Sequence, residues 1–384
     1  MQPDDVTIEV LDRNLQRVGQ ILPEQWTDAK PILRLRAVGD WTMSLPVDLP
    51  ATALLAQPGA GILVTGPTGE LFSGLVGKGS EKADQKDPVG TITFTGPDFN
   101  QVLADALAWP DPANGDETTQ ATAYDLRSGP AETVIRSLVD ANIGPSAPAS
   151  RRGWFASLLE LDVDQQRGQT VTSSVRFDNL LDQAATLGKV GGIGFRVTVG
   201  EGHLLLTFFK PSDRSRQVRL DIANGNLDSY TSEVSAPTVT RAIVGGQGEG
   251  AARTFLQRTT PASLQAEDLW GRRIEQFKDE RNTDNQGELA QAGDELLADG
   301  GATLQTLKLD PADDQTMQYQ RDWDLGDYIT AVTSQGEITQ IVTTVGLALG
   351  TSGVLVGAQV GDLDAADVAN LQFQRRVNRL ETRT

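Results

Sequence analysis

Two stretches far apart in the chain share one order of residues. GILVTGPTGELFSGLV (61–76) and DYITAVTSQGEITQIV (327–342) each pass from an apolar β run through a turn into Gly-Glu-aliphatic, then a short gap and aliphatic-Val. Gly69, Glu70 and Leu71 align with Gly336, Glu337 and Ile338, and the rest aligns after one gap. The first is a hairpin signal, two strand patterns closed by Gly-Pro-Thr-Gly. Related hairpins near both ends of one polypeptide constrain the fold strongly. They predict two related β-barrels, one near each end, with mixed domains between them.

The intervening sequence supports that layout. DDVTIEVLD, GDWTMSLPV (39–47) and GTITFTG (90–96) read as short strands, with Trp41, Met43 and Leu45 alternating onto one face. Many short strands with Gly/Pro turns indicate a small barrel or sandwich. The period then changes. In PDFNQVLADALAWP (97–110), Phe99, Val102, Leu103, Ala106 and Leu107 fall on one helical face, with Asp98 placed to cap it and Pro110 to stop it. Residues 111–123 are polar and read as a linker or exposed loop. A helix is predicted over 128–144, with Pro130 in the first turn and Gly144 past its end. Another carries Phe177, Leu180, Leu181, Ala184 and Leu187 on one face, with Gly188 beyond it, and two strands joined at 200–202 follow. Strands return from 238. An acidic helix over 282–302 ends in two glycines, and a C-terminal amphipathic helix sets Phe373, Val377 and Leu380 on one side, with Arg375, Arg376 and Arg379 suited to its C-terminus.

At 384 residues the chain fits two to four domains. Hydrophobic residues make up 39% and charged residues 22%, which suits a globular protein rather than a disordered one. No run approaches the roughly 20 apolar residues of a membrane span. The N-terminal MQPDDVTIEVLD lacks a basic region followed by an apolar one, so synthesis and retention in a cytoplasm are expected. There is no cysteine, which removes disulfides, thiolate nucleophiles, Fe–S clusters and Cys-based zinc sites. The single histidine, His203, cannot by itself build a multi-His metal site, and it reads as a strand-end residue. The net charge of −19 is the opposite of the basic footprint that nucleic-acid binding needs.

The strongest invitation to chemistry is YQRDWDLGDYIT (319–330). Asp322, Asp324 and Asp327 stand close enough to suggest a metal site or a pair of catalytic acids, and Trp323 and Tyr328 would suit a sugar platform. An EF-hand fails on spacing, because Gly326 stands where the third ligand should be. NTDNQG comes nearer with Asn282, Asp284, Gln286 and Gly287, but its twelfth position is Gly293 and the bidentate Glu is missing; helix capping accounts for it. A glycosidase needs only two carboxylates at the correct separation, and nothing among 52 acids selects a pair. In WDLGDYI a structural role is simpler, with Gly326-Asp327 turning into the strand and Trp323 packing on the barrel end. VGGQGEGAAR, with Gly245, Gly246, Gly248 and Gly250, resembles a phosphate loop loosely. Strands flank it on both sides, whereas that loop must open a helix, and Glu249 would repel a pyrophosphate. GKVGGIGF reads as a helix stop followed by a strand. No catalytic, cofactor-binding or metal-ligating residue is assigned, and no cofactor is expected.

GPDFNQVLADALAWPDP, GPAETVIRSLVDANIG, RAIVGGQGEGAAR followed by RRIEQFKDER, and WDLGDYITAV occur in an order that resembles a family of siphophage minor tail proteins of actinobacterial phages, within the wider class of baseplate-hub or tail-associated proteins. The likeness covers nearly the whole chain. It implies a multidomain fold, mixed β and α+β, with two tail-tube-like β-barrel domains and α/β domains between them. The expected division is an N-terminal barrel over 1–110, α/β domains over 111–175 and 176–235, a C-terminal barrel over 236–364 and a C-terminal helix over 365–384. The resemblance implies a non-enzymatic homotrimer whose six barrels mimic a sixfold tube and adapt it to a threefold tip or fibres. It would meet a distal tail protein ring, a tape measure protein and tip or fibre proteins. Phage DNA would pass through the lumen without specific binding, and the protein would reside in the virion tail tip after assembly in the bacterial cytoplasm. Part of the acidic surplus is expected to line that lumen. The alternatives are a virion-associated cell-wall or glycan hydrolase using a carboxylate pair, a carbohydrate-binding adsorption protein presenting Trp154, Trp270 and Trp323, and the hub of another tail-like injection device.

Overall fold

The computed structural model describes residues 5–361, other than 86–87, 117, 282, 313–316 and 351–352. The C-terminal helix expected over 365–384 lies outside the described residues. The chain is mixed α/β and mostly strands, arranged in several sheets that are largely antiparallel.

The described residues among the first hundred supply eight strands and one short helix: β1 (Thr7–Leu11), β2 (Arg17–Ile21), β3 (Thr27–Arg34), β4 (Asp40–Pro46), α1 (Pro50–Leu55), β5 (Gly61–Gly66), β6 (Gly69–Leu75), β7 (Lys78–Lys82) and β8 (Thr91–Pro97). One sheet has the order β2-β1-β5-β6, and the others pair as β3-β4-β8-β7. The alternation read from the sequence holds on β4, where Trp41, Met43 and Leu45 are buried and their neighbours are not. The two layers meet where β6 reaches β8, at the Gly74–Asp98 bridge, and Trp41 Nε1 donates to the Leu75 carbonyl at 3.0 Å. Glycine at 96 permits this approach, since a Cβ there would overlap the Leu75 carbonyl.

The middle of the chain folds as α2 (Gln101–Ala104), β9 (Leu107–Ala108), β10 (Asp125–Pro130), α3 (Ala131–Asn142), α4 (Trp154–Ser157), β11 (Leu159–Leu161), β12 (Thr170–Val175), β13 (Asp178–Asn179), α5 (Leu180–Gly191), β14 (Gly194–Val199) and β15 (Leu204–Phe209). Its core gathers α3, α5 and the β14–β15 hairpin around Ile135, Leu138, Leu187, Phe195 and Leu206. The helix expected over 97–110 is much shorter. Asn179 Nδ2 takes the Ala104 carbonyl at 2.7 Å and Asn142 Oδ1 takes the Trp109 N–H at 2.9 Å, so tertiary bonds replace the next helical turn. The following helix also starts later than its apolar spacing indicates. Asn179 caps it through the N–H groups of Leu181 and Asp182, which leaves Phe177 outside at φ 63° against Trp109. Gly188 lies within this helix, and the stop is the left-handed Gly192.

The C-terminal part comprises β16 (Arg219–Leu220), β17 (Leu227–Ser235), β18 (Arg241–Gly245), β19 (Phe255–Arg258), α6 (Pro261–Trp270), β20 (Glu275–Asp279), α7 (Gln286–Gly300), β21 (Leu304–Pro311), β22 (Tyr328–Thr333), β23 (Gly336–Gly350) and β24 (Gly353–Val360). A small sheet, β19-β18-β20, packs on α7 through Val244, Leu289 and Ala292. The remaining strands join the N-terminal set in a ten-stranded sheet. Eight of its strands run β17-β21-β24-β23-β3-β4-β8-β7, with β22 and β16 attached beside β23. One continuous core lies beneath it, containing Trp41, Met43, Leu45 and Phe94 together with Leu307, Leu309, Val345 and Val354.

Candidate functional site

The aspartates at 322, 324 and 327 fold a turn rather than line a cleft. Asp322 accepts the Gln318 N–H at 2.7 Å and pairs with Arg321, whose guanidinium holds its carboxyl below the usual range. Asp327 accepts from the N–H groups of Asp324 and Ser212, at 3.0 and 3.3 Å. Asp324 accepts the Leu325 N–H at 2.7 Å, and burial pushes its carboxyl up. Among the described residues no group of three or more His, Cys, Asp or Glu side chains could hold a metal ion. His203 sits in its turn, with Nδ1 3.2 Å from the Glu201 carbonyl.

The aromatic candidates are likewise engaged. Trp323 is buried, stacks near Tyr319 at 5.2 Å and donates Nε1 to the Met317 carbonyl, so it cannot serve as an exposed platform. Trp154 is exposed, but Arg13 covers its ring at 4.0 Å and its Nε1 bonds the Arg13 carbonyl. Trp270 is partly exposed and bonds Thr303 Oγ1. The glycine-rich stretch at 245–250 connects β18 to β19 without opening a helix beyond a single short turn at 250–252. Arg253 fills that loop, donating to the carbonyls of Gly245 and Gly246.

What the structure does build is a repeat. The two sequence-matched hairpins are β5–β6 and β22–β23, closed by the pairs Gly66–Gly69 and Thr333–Gly336. Gly69 and Gly336 open the return strands at φ 121° and 112°, a conformation that side chains rarely adopt. The hairpins are embedded in matching surroundings. In the N-terminal half β3-β4-β8-β7 lie side by side, with the hairpin β5–β6 inserted in the chain after β4. The C-terminal half repeats this as β17-β21-β24-β23, where one long strand serves as the hairpin's return and as the sheet's fourth member. The immediate flank differs: β1 runs antiparallel to β5, whereas β16 runs parallel to β22.

The details repeat as well. Each first strand carries a register shift against the second, between Thr27 and Lys30 in β3 and between Leu227 and Ser229 in β17. The residue four positions after the first one paired beyond each shift forms a cross-strand ion pair. Arg34 meets Asp40, and Glu233 meets Lys308 at 3.0 Å, so equivalent positions carry the pair with opposite polarity. Both pairs lie on the sheet face away from the core, by alternation with Leu33, Trp41, Leu307 and Leu309. Thr42, Ser44, Thr93, Thr95, Thr231 and Thr344 share that face, with Lys30, Lys78, Lys82, Arg34 and Lys308 against Asp40, Glu233 and Asp310. The chain's acidic surplus is therefore not concentrated there.

Among the described residues the halves are stitched in two places. β23 pairs with β3 through Thr344–Arg34, Val345–Leu33, Gly346–Ile32 and Leu349–Ala29. The first hairpin's turn also docks on the aspartate segment, where Gln320 Nε2 donates to the Glu70 carbonyl at 2.9 Å and Thr68 Oγ1 donates to Gln320. Glu70 itself points inward, accepting the Val199 N–H at 3.0 Å and the Ser73 hydroxyl at 2.8 Å; burial nonetheless raises its pKa. Asp98 is pushed up to about 7, first by burial, against the opposing N–H groups of Gly39 and Asn100.

Residues 7–362 match the profile of the Siphovirus ReqiPepy6 Gp37-like proteins. The chain belongs to that family. No curated protein matches this Gp37-like sequence. Its fold matches three solved structures along nearly their whole lengths. The 43 kDa tail protein of prophage MuSo2 from Shewanella oneidensis is 12% identical with a TM-score of 0.56, over 94% of this chain and 99% of that one. Prophage tail protein gp18 from Listeria monocytogenes EGD-e is 10% identical with a TM-score of 0.55, over 97% and 99%. The tail protein from Neisseria meningitidis MC58 is 12% identical with a TM-score of 0.56, over 94% and 97%. At these identities the likeness is one of fold. Among the described residues of the Gp37-like chain, no helix is long and apolar enough to cross a membrane.

Proposed function

We propose that this Gp37-like protein is a structural baseplate hub, or minor tail protein, of a long-tailed phage. Three copies form a ring that joins a sixfold tail tube to a threefold tip or fibres, and phage DNA passes through its lumen. One observation carries this reading: the units β3-β4-β8-β7 and β17-β21-β24-β23 lie side by side in the same sense. Repetition in one sense is head-to-tail, the relation that generates rings when the rotation closes. Two units per chain and three chains present six similar units, which matches a sixfold tube. Family membership and the tail-protein fold support the same placement in the virion tail tip.

On this reading each half carries one barrel domain, residues 111–235 supply the α/β domains between them, and the contacts are a distal tail ring, the tape measure protein and tip or fibre proteins. The protein acts by geometry and catalyses nothing. On this reading the lumen wall is the hydroxyl-rich sheet face of mixed charge, where acids do not predominate. Cryo-EM of the virion with a small tag fused to this chain tests the assignment. Three copies at the tail tip are expected; six copies, or a position along the shaft or on the head, would overturn it.

A further inference from the structure

We propose that the cavity between α2, the end of α3 and α4 binds an acidic saccharide, a sugar ring carrying a carboxylate or a phosphate. The site lies within a single chain and outside the long sheet, so it stands apart from the ring reading. Its volume is about 550 Å3, within the range of small-ligand pockets. Asp105, Leu107, Trp109, Asn142, Arg151 and Trp154 lie in its wall.

The cation in this wall is held in place and left uncompensated. Asn142 is fully buried, and its Oδ1 accepts both the Trp109 N–H at 2.9 Å and Arg151 Nη2 at 3.1 Å. Its Nδ2 donates to the Leu138 carbonyl at 2.9 Å, so the amide is fixed at both ends. Arg151 Nη1 donates to the Pro112 carbonyl at 3.1 Å, and the guanidinium lies 3.7 Å over the Trp109 ring. All of these partners are neutral. Burial lowers the Arg151 pKa, and among the described residues no carboxylate pairs with it to offset that desolvation. Next in the chain, Arg152 buries Nε without a hydrogen-bond partner. The chain carries 52 acids against 33 lysines and arginines, yet none of those acids is spent on Arg151. A planar fork held this way matches a carboxylate or phosphate from outside the chain.

The rest of the wall favours a sugar over a bare anion. Trp109 and Trp154 contribute indole surface for the C–H face of a pyranose, and Trp154 stays 49% exposed although Arg13 covers its ring. Asp105 is exposed, bonds Gln101 Nε2 at 2.5 Å and keeps lone pairs for ring hydroxyls. The same carboxylate disfavours a small anion that has no hydroxyl to offer.

Titration of the full-length protein, followed by tryptophan fluorescence and calorimetry, tests this with digalacturonic acid, glucose 6-phosphate and neutral maltose. At least one acidic sugar should saturate one site per chain, about tenfold or more tighter than maltose. Whichever of the two binds identifies the acid as carboxylate or phosphate. Arg151→Lys keeps the charge and loses the fork, and should weaken binding about tenfold. Asp105→Asn should tighten it by about twofold. No saturation by either acidic sugar at about 20 mM would overturn the proposal, as would unchanged affinity in Arg151→Lys. Equal affinity for inorganic phosphate or tetraglutamate would overturn the saccharide, and equal affinity for maltose would overturn the role of the guanidinium. If Arg151→Lys impairs folding, judged by circular dichroism, Asp105→Asn decides: tighter binding supports the site, and unchanged or weaker binding overturns it.

Discussion

The four strands β3, β4, β8 and β7 bury Trp41, Met43 and Phe94, whereas the fully buried side chains of β17, β21, β24 and β23 are aliphatic, among them Leu307, Leu309, Val345 and Val360. The route differs too. In the first unit the hairpin ends at Leu75, crosses Val76-Gly77 and resumes as β7, while in the second one uninterrupted strand runs from Gly336 to Gly350. Strand order, the register shift and the cross-strand ion pair are nevertheless common to both. What persists between units this divergent is what the shared geometry requires: backbone pairing and one tie between the first two strands. Side-chain identity in the core is free to drift while volume is conserved.

The comparison breaks most readily at its largest side chain. Trp41 and Leu309 occupy equivalent positions, facing Pro31 and Tyr230 on the first strands. Trp41→Ala removes a buried indole and its bond to Leu75, and should cost about 3–5 kcal/mol. Leu309→Ala should cost about 2–4 kcal/mol. Chemical denaturation measures both, and a larger loss at Leu309 would mean that the second unit dominates the shared core.

The ion pairs give a sharper test. Lys308→Glu places two acids together at a buried site and should cost about 3 kcal/mol. Adding Glu233→Lys makes the second unit carry the polarity of Arg34–Asp40, and most of the loss should return. A double variant no more stable than the single would mean that the two positions are not equivalent.

Asp98 distinguishes the units by pH, because the corresponding position in the second is the apolar Val360. Its folded pKa of about 7 exceeds the ordinary 3.8. The folded state therefore binds the extra proton between those values. The stability it contributes is fully present below pH 3.8 and is lost as pH rises through about 7. Asp98→Asn should raise stability by about 2 kcal/mol at pH 8.5, discounted from about 1.4 kcal/mol per unit because the amide loses part of the hydrogen bonding. At pH 4 it should change little. Thermal melts across that range measure it, and an unchanged slope would place the titration elsewhere.

Much of this was legible in the residues. The paired hairpins, the alternation of Trp41, Met43 and Leu45 and the helix before Gly144 follow from spacing and composition. The long-range joins were not legible, because strand pairing such as β3 with β23 leaves no local period. The helix expected over 97–110 failed for the same reason: Asn142 and Asn179, distant in sequence, take the backbone groups its next turn would have used. Trp323 reads as an exposed aromatic only until Met317 and Tyr319 are folded against it. The charge-reversed pairs could be found in sequence only after the bulges had been aligned.

The smallest expected effect bears most directly on kinship. Gly69 and Gly336 hold similar positive φ angles at the same turn position, and at both an added Cβ meets nothing within 4 Å. Gly69→Ala and Gly336→Ala therefore isolate backbone strain from steric overlap, at about 1–2 kcal/mol each. If the hairpins are equivalent, the two losses should agree within about 0.5 kcal/mol and add in the double variant, since the sites share no partner. Urea midpoints with unchanged m-values measure this. A loss at one site alone would show that the second hairpin takes its shape from its neighbours rather than from the turn it shares with the first.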